Sequence, residues 1–350
     1  MSSVKEINFA IVGCGRISNN HFDAIKSCSG QAKLIAVCDI DPNALDLAVQ
    51  KTGAIGYSSL SELLNNKDIE VISLCTPSGM HSAQTIEIAK KNKHIITEKP
   101  MATNWIDGLK MINACNEAKV KLFVVKQNRK NDTLKLLKQA IQEERFGKIY
   151  NVAINVFWTR PQAYYDSAKW RGTWAFDGGA LMNQASHYVD LLAWLIGEVD
   201  QVFAFCSTLA RKIEVEDSAS VSLKWKNGAL GTLNVSMLTY PNNLEGSITI
   251  IGEKGTVKIG GVAVNEIQVW KFKDLKEYDQ DIFNANYSTQ SVYGHGHPLY
   301  YKNVIDVLHE KCLADTDGAE GLKSLELICA MYQSAKEVKP ISLPFSRSIS

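Results

Sequence analysis

Short apolar runs alternate with amphipathic stretches through the first 125 residues, and this rhythm predicts the elements. Ile7-Asn8-Phe9-Ala10-Ile11-Val12, Leu34-Ile35-Ala36-Val37-Cys38, Val71-Ile72-Ser73-Leu74-Cys75, His94-Ile95-Ile96-Thr97 and Lys121-Leu122-Phe123-Val124-Val125 read as buried strands. Helices are predicted from near Arg16, over 42–51 up to Gly53, over a short stretch with Leu60, Leu63 and Leu64, over 80–91 and over 104–118. Asp41 before Pro42 reads as an N-cap with proline at the first helical position, and Ser59 with Glu62 as a capping box. Repeated strand–helix units of this length predict a parallel, doubly wound sheet.

Near residue 126 the pattern changes. After a helix over 132–144, longer strands with period-two alternation are predicted at 149–158, 202–207, 218–225, 229–238, 246–252, 255–259 and 267–272. Asn227-Gly228 marks a hairpin between two of them. A helix over 179–194 interrupts the strands, and two more follow at 299–311 and 318–336. The expected class is α/β: a doubly wound domain over 1–125, then an α+β domain over 126–350 built on a large, mainly antiparallel sheet. One face of that sheet is expected to be covered by helices and the other open for ligand or subunit contact, with a homotetramer as the expected assembly.

Composition adds mainly exclusions. In 350 residues, 45% are hydrophobic, 21% are charged and the net charge is +1. Nothing in that balance favours nucleic acid or a membrane surface as partner. No apolar run approaches the roughly 20 residues of a membrane span. The eight cysteines form no C-x-x-C pair, and Cys38, Cys75 and Cys206 lie in apolar strand-like runs, as reduced core thiols do. Residues 1–6 lead into the first strand with no signal-peptide pattern, so a cytoplasmic protein is expected.

The chemistry begins where the first strand ends. Gly13-Cys14-Gly15-Arg16-Ile17-Ser18 is a glycine turn leading into a helix, a ready place for a pyrophosphate beside helix N-terminal amides. Ser18 stands at the third glycine of the strict fingerprint. Asp39 ends the second strand, where a carboxylate accepts hydrogen bonds from a ribose diol. Its charge favours NAD over NADP. Other strand ends carry Thr76-Pro77-Ser78-Gly79-Met80-His81 and Glu98-Lys99-Pro100. Lys99 suits proton transfer beside a nicotinamide, and Glu98 suits pairing with it or contact with the cofactor. In the second domain, Asn183, His187 and Asp190 fall at i, i+4 and i+7 of the 179–194 helix and so on one face. Tyr293-Gly294-His295-Gly296-His297-Pro298 holds two histidines with no neighbouring carboxylate or thiol, so it reads as a substrate loop and no metal is expected.

The combination Gly13-Cys14-Gly15-Arg16, Thr76-Pro77, Glu98-Lys99-Pro100 and Gly178-Gly179…Asn183…His187…Asp190 resembles the glucose–fructose oxidoreductase / inositol dehydrogenase (Gfo/Idh/MocA) family over nearly the whole chain. The resemblance implies a Rossmann domain, an open-faced sheet, a nicotinamide cofactor, and Lys99 with His187 as catalytic pair. It implies cofactor contacts from Gly13, Gly15, Arg16, Ile17, Asp39, Thr76, Pro77, His81, Glu98, Lys99, Gln127, Trp170 and Arg171. Two positions depart from the family pattern: Asn183 stands where aspartate is usual, and Ala185 where glycine is frequent. Asn183 cannot act as a base, but it can exchange hydrogen bonds with a sugar hydroxyl.

Phe157-Trp158-Thr159-Arg160-Pro161-Gln162-Ala163-Tyr164-Tyr165, Lys169-Trp170-Arg171-Gly172-Thr173 and Asp177 to His187 are similar to the UDP-N-acetyl-glucosaminuronate 3-dehydrogenases of bacterial surface-polysaccharide synthesis. That likeness implies an NAD-dependent oxidation of the sugar C3 hydroxyl. Substrate contacts are expected from Lys99, Arg160, Tyr164, Tyr165, Asn183, His187 and His297. Arg160 and Arg171 are suited to a carboxylate and a diphosphate. The likeness also implies a 2-oxo acid such as 2-oxoglutarate as the reoxidant of tightly held NADH. The alternatives are a dehydrogenase of a free sugar or cyclitol, and a non-catalytic dinucleotide-binding sensor.

Overall fold

Strands and helices alternate through the first part of the chain: β1 (Ile7–Val12), α1 (Ser18–Ser27), β2 (Ala32–Cys38), α2 (Pro42–Thr52), β3 (Ile55–Tyr57), α3 (Leu60–Leu63), β4 (Val71–Leu74), α4 (His81–Ala89), β5 (His94–Thr97), α5 (Trp105–Glu117) and β6 (Leu122–Val124). Asp41 caps α2 by accepting from the Asn43 amide at 3.0 Å, and Gly53 ends it at φ 68°. Asn104 caps α5 through the Asp107 amide at 2.9 Å. The computed structural model describes residues 5–289 and 294–345. It divides into two units, one of residues up to 127 together with 296–322, the other of 128–295 and the chain from 323 onward.

In the first unit six parallel strands run in the order β3-β2-β1-β4-β5-β6. The order reverses direction between β1 and β4, and in such sheets ligands bind beyond the strand carboxyl ends at that point. Gly13 and Thr76 stand there.

The second unit contains α6 (Asp132–Gln142), β7 (Ile149–Phe157), α7 (Gln162–Asp166), α8 (Ser186–Leu191), β8 (Val199–Ser207), β9 (Ser218–Trp225), β10 (Leu230–Ser236), β11 (Glu245–Gly252), β12 (Gly255–Gly260) and β13 (Glu266–Phe272). The chain closes with α9 (His297–Leu308), α10 (Gly318–Glu337) and β14 (Ile341–Ser342). Eight strands of the second unit run β13-β12-β11-β7-β10-β9-β8-β14. Every pairing is antiparallel except β7 with β10. Val221, Leu223, Trp225, Leu233 and Val235 face inward, while Ser220, Ser222, Lys224 and Thr232 point outward.

Two expectations change. The segment 296–322, read from sequence as part of the second domain, packs into the first unit. The physical reason is the apolar stripe of α9: Tyr300, Tyr301, Val304 and Ile305 join Phe9, Ile11, Ile25 and Phe123 in one core. The single helix expected over 179–194 is three pieces, a π-helical turn at Ala180–Gln184, then α8, then a second π-helical turn at Leu192–Ile196. The Ala185 amide reaches back five residues to the Ala180 carbonyl at 2.8 Å, which widens the turn and removes the regular i, i+4, i+7 face. Among the described residues no helix is long and apolar enough to cross a membrane. Tyr293 of the expected substrate loop lies outside the described residues.

Candidate active site

The glycine turn is built by close packing. Gly13 has φ 92°, and a Cβ there would stand 2.7 Å from the carbonyl carbon and oxygen of Cys75. Only glycine fits both the angle and the approach. Gly15 is different: nothing lies within 4 Å of where its Cβ would be. Gly15 and Arg16 are exposed, Ile17 is half-buried, and α1 begins at the next residue. Asp39 Oδ2 accepts from the Cys14 amide at 2.6 Å and Oδ1 from the Asp41 amide at 2.9 Å, which ties the second strand to the turn. Each carboxylate oxygen has a lone pair beyond these bonds. An open glycine at a helix start with a half-buried carboxylate beside it fits a dinucleotide's pyrophosphate and ribose.

Thr76 Oγ1 donates to Gln84 Oε1 at 2.6 Å, and the half-buried Pro77 follows it in the turn. His81, expected at the cofactor, is buried, with Nε2 2.9 Å from the Thr76 carbonyl and Nδ1 3.0 Å from the Pro100 carbonyl. Burial pushes this imidazole below its ordinary range, and the two carbonyls only partly offset that. The ring therefore braces the Thr76 turn against the segment after Lys99. The Lys99–Pro100 peptide is cis.

Glu98 is buried rather than aimed at solvent. Its Oε2 accepts from the Lys99 amide at 3.0 Å, and its Oε1 lies 2.9 Å from His21 Nε2. His21 Nδ1 continues to the Tyr301 hydroxyl at 2.7 Å, which meets Ser73 Oγ at 2.7 Å. His297 Nε2 lies 3.6 Å from Glu98 Oε1, a weaker contact. Burial works to raise the Glu98 carboxyl, but His21 and then His297 outweigh it and hold it well below the usual carboxylate range. Burial lowers His297. The expectation that no carboxylate accompanies His297 thus fails in space: His21, Glu98 and His297 place three ligand-type atoms within 4.8 Å of one another. The short His21–Glu98 contact and the occupied Nδ1 make this a hydrogen-bonded chain reaching the Lys99 backbone. The His21 and Tyr301 contributions have no local sequence motif.

The second unit carries the other candidates. Arg160 Nε donates to Gln184 Oε1 at 2.9 Å, and Gln184 Nε2 donates to the Tyr164 hydroxyl at 3.1 Å. Arg171 Nη1 donates to that same hydroxyl at 2.6 Å. The Arg171 guanidinium lies over the rings of Tyr164 and Trp170, at 4.4 and 4.5 Å from their centroids. Its Nε is buried without a hydrogen-bond partner among the described residues. Arg160, Tyr164, Trp170, Arg171 and Gln184 therefore form one cationic, aromatic cluster suited to an anion. Tyr165 is instead buried, and burial raises its hydroxyl well above the ordinary range.

Asn183 Nδ2 donates to Asp177 Oδ1, while Asp177 Oδ2 accepts from the Gly172 amide at 2.7 Å. Asp177, which opens the 177–187 motif but was given no role from sequence, thereby links the 172–178 loop to Asn183. Its place just before Gly178-Gly179 was the available signal. Asp190 faces Arg129, with Nε to Oδ2 and Nη2 to Oδ1 both at 2.7 Å. His187 is buried on α8. Lys99 and Gln127 belong to the first unit, and His187, Asn183 and Arg171 to the second.

Comparison with known proteins accords with both halves. Residues 7–126 match the model described as "Oxidoreductase family, NAD-binding Rossmann fold" and residues 138–343 match "Oxidoreductase family, C-terminal alpha/beta domain". The WlbA dehydrogenase from Chromobacterium violaceum, solved in complex with NADH and UDP-GlcNAcA, is 60% identical, covering 97% of this chain and 96% of its own, with TM-score 0.93. The WlbA dehydrogenase from Bordetella pertussis, in complex with the same two ligands, is 57% identical, covering 97% and 98%, with TM-score 0.95. A myo-inositol 2-dehydrogenase of Thermotoga maritima is 28% identical over 260 residues, 72% of this chain and 74% of that protein. The chain belongs to the Gfo/Idh/MocA family of NAD-binding oxidoreductases.

Proposed function

We propose that the chain oxidises the C3 hydroxyl of UDP-2-acetamido-2-deoxy-D-glucuronate, with NAD as acceptor, to the 3-keto sugar nucleotide. The observation that carries this reading is the 57–60% identity, over 97% of the chain, to dehydrogenases solved with NADH and UDP-GlcNAcA. The Arg160–Gln184–Tyr164–Arg171 cluster supports it, because the substrate brings a carboxylate and a diphosphate.

Gly13, Gly15, Arg16 and Ile17 hold the cofactor pyrophosphate, Asp39 its ribose, and Thr76, Pro77, Gln127 and Trp170 complete the contacts. When bound, the nicotinamide accepts a hydride from carbon. His187 takes the proton of the C3 hydroxyl while Lys99 donates to the developing carbonyl oxygen, or the two exchange these roles. Asn183, held by Asp177, orients a sugar hydroxyl without itself taking a proton. His297 acts from behind, through Glu98, rather than by broad exposure to substrate. The product belongs to surface-polysaccharide (O-antigen) sugar synthesis in the cytoplasm. The outer face of the eight-stranded sheet, where Phe205, Leu230 and Ile251 are exposed, serves assembly of a homotetramer. A 2-oxo acid such as 2-oxoglutarate regenerates NAD on the protein.

Purified protein mixed with NAD and UDP-GlcNAcA is expected to raise absorbance near 340 nm and to yield a sugar lighter by two hydrogens. Adding 2-oxoglutarate is expected to sustain turnover. Absence of both the absorbance and the mass change, with turnover of a free sugar or cyclitol instead, overturns the substrate.

A further inference from the structure

Four backbone amides open the segment that carries Asn183 and His187, and a helix start leaves such amides without intrahelical partners. Here two residues from distant parts of the second unit take all four. The Ala180 amide donates to the Glu216 carbonyl at 3.0 Å, and the Leu181 amide to Glu216 Oε1 at 2.8 Å. The amides of Gly179 and Met182 donate to the Tyr332 hydroxyl at 3.3 and 3.2 Å. Tyr332 spends its own proton on Glu216 Oε1 at 2.8 Å. One hydroxyl thus accepts twice and donates once, its full capacity. Glu216 lies just before β9 and is 3% exposed, and Tyr332 comes from α10. A Cβ on Gly179 would fall inside the Glu216 carboxyl group, so the glycine is the space this carboxyl fills.

We propose that Glu216 and Tyr332 are positioning residues, a cap assembled from two other elements that fixes the start of the segment bearing Asn183 and His187. The proposal rests on the roles given above to those two side chains. Neither Glu216 nor Tyr332 needs to touch substrate or cofactor.

The cap also has a proton dependence. The titratable groups facing Glu216 are Asp217 beside it, Tyr332 on α10 and Cys206 on β8. Asp217 is itself lowered: burial opposes its charge, but the amides of Leu209, Ala210 and Arg211 outweigh that, so it stays anionic next to Glu216. Burial first, and then the Asp217 charge, push the Glu216 carboxyl from 4.5 up to about 7 against the pull of its hydrogen bonds. Its Oε2 is buried with no hydrogen-bond partner among the described residues. A closed cap therefore keeps a proton that a hydrated carboxyl would release. Opening that hydrates Glu216 becomes easier as pH rises from about 4.5 to about 7, and is insensitive to pH beyond that window.

The test is hydrogen exchange of peptides covering 179–191 in the full chain, corrected for intrinsic exchange, alongside kinetics with NAD and UDP-GlcNAcA. In the wild type, protection of these amides is expected to fall as pH rises towards about 7. Glu216→Gln, which keeps the acceptor oxygen and the volume, is expected to fold normally and to show protection independent of pH. Tyr332→Phe, which keeps the ring, is expected to lose roughly ten-fold protection at 179–182 and roughly ten-fold in kcat. Its KM for NAD stays within two-fold of wild type, roughly the change expected where no cofactor contact is altered. Unchanged protection in Tyr332→Phe, or an unchanged pH dependence in Glu216→Gln, overturns the proposal. Exchange needs no substrate, so a protein that shows these changes but turns over no UDP-sugar refutes the substrate and leaves the cap standing.

Discussion

Arg129 grips Asp190 through two parallel hydrogen bonds, Nε to Oδ2 and Nη2 to Oδ1, each 2.7 Å. Both side chains are almost wholly buried, and Asp190 follows His187 by three residues. Leaving one partner of such a pair alone in the interior is costly. Asp190→Leu is expected to destabilise the protein by about 3–5 kcal/mol, and a double change with Arg129→Met to recover most of that. Urea unfolding of the two single variants and the double variant measures it. A single variant within about 1 kcal/mol of wild type would assign the pair no structural role.

The two glycines of the first turn should separate fold from binding. Gly13→Ala meets backbone atoms of Cys75 and Thr76 at 2.7–2.8 Å in a positive-φ position, so lower thermal stability is expected together with weaker NAD binding. Gly15→Ala meets nothing within 4 Å, so the melting temperature should hold while NAD affinity falls about ten-fold. Thermal melts and NADH fluorescence titration distinguish these outcomes. Undiminished NAD binding in Gly15→Ala would place the pyrophosphate elsewhere.

Proton transfer is assigned to Lys99 and His187. Either residue replaced by Ala should cost roughly 100-fold or more in kcat. NADH binding by His187→Ala, measured by fluorescence, is expected to stay near wild type. Near-normal turnover in either variant would move the chemistry to other groups.

Glu98 should contribute to acid sensitivity. Its carboxyl is held below the ordinary range in the folded protein, despite burial, by His21 and His297. A depressed carboxyl gives stability that is fully present above the ordinary Glu value of 4.5 and is lost as pH falls below it. Glu98→Gln is expected to be less stable than wild type at pH 7, with the gap closing as pH drops below about 4. Chemical unfolding across that range gives the comparison, and a constant gap would contradict the assignment.

The repeating strand and helix units, the glycine turn and Asp39 were readable because each depends on local periodicity or on turn chemistry within a few residues. The α2 cap at Asp41-Pro42 and its close at Gly53 are local in the same way. What escaped is non-local. His21 meets Glu98 across 77 residues, and Tyr332 meets Glu216 across 116. No window of sequence contains either pair. The π-helical turn at Ala180–Gln184 escaped for a different reason: a helical wheel assumes 3.6 residues per turn, and here the spacing widens. Asp190 matched the wheel, yet Arg129 had already claimed it. His297 follows His295 by two residues in the chain, yet its partners are His21 and Glu98.

The return of residues 296–322 to the first unit bears on the order of events during synthesis. Domains usually fold as they emerge from the ribosome, amino-terminal part first. Here the nascent dinucleotide-binding half lacks Tyr300, Tyr301, Val304 and Ile305, which complete its core. Tyr301 also terminates the His21–Glu98 chain. The first half to be translated is therefore finished only after nearly the whole second unit has been made. Until then it carries an unfilled apolar groove where α9 belongs, and a protein cut after residue 127 would carry that groove permanently.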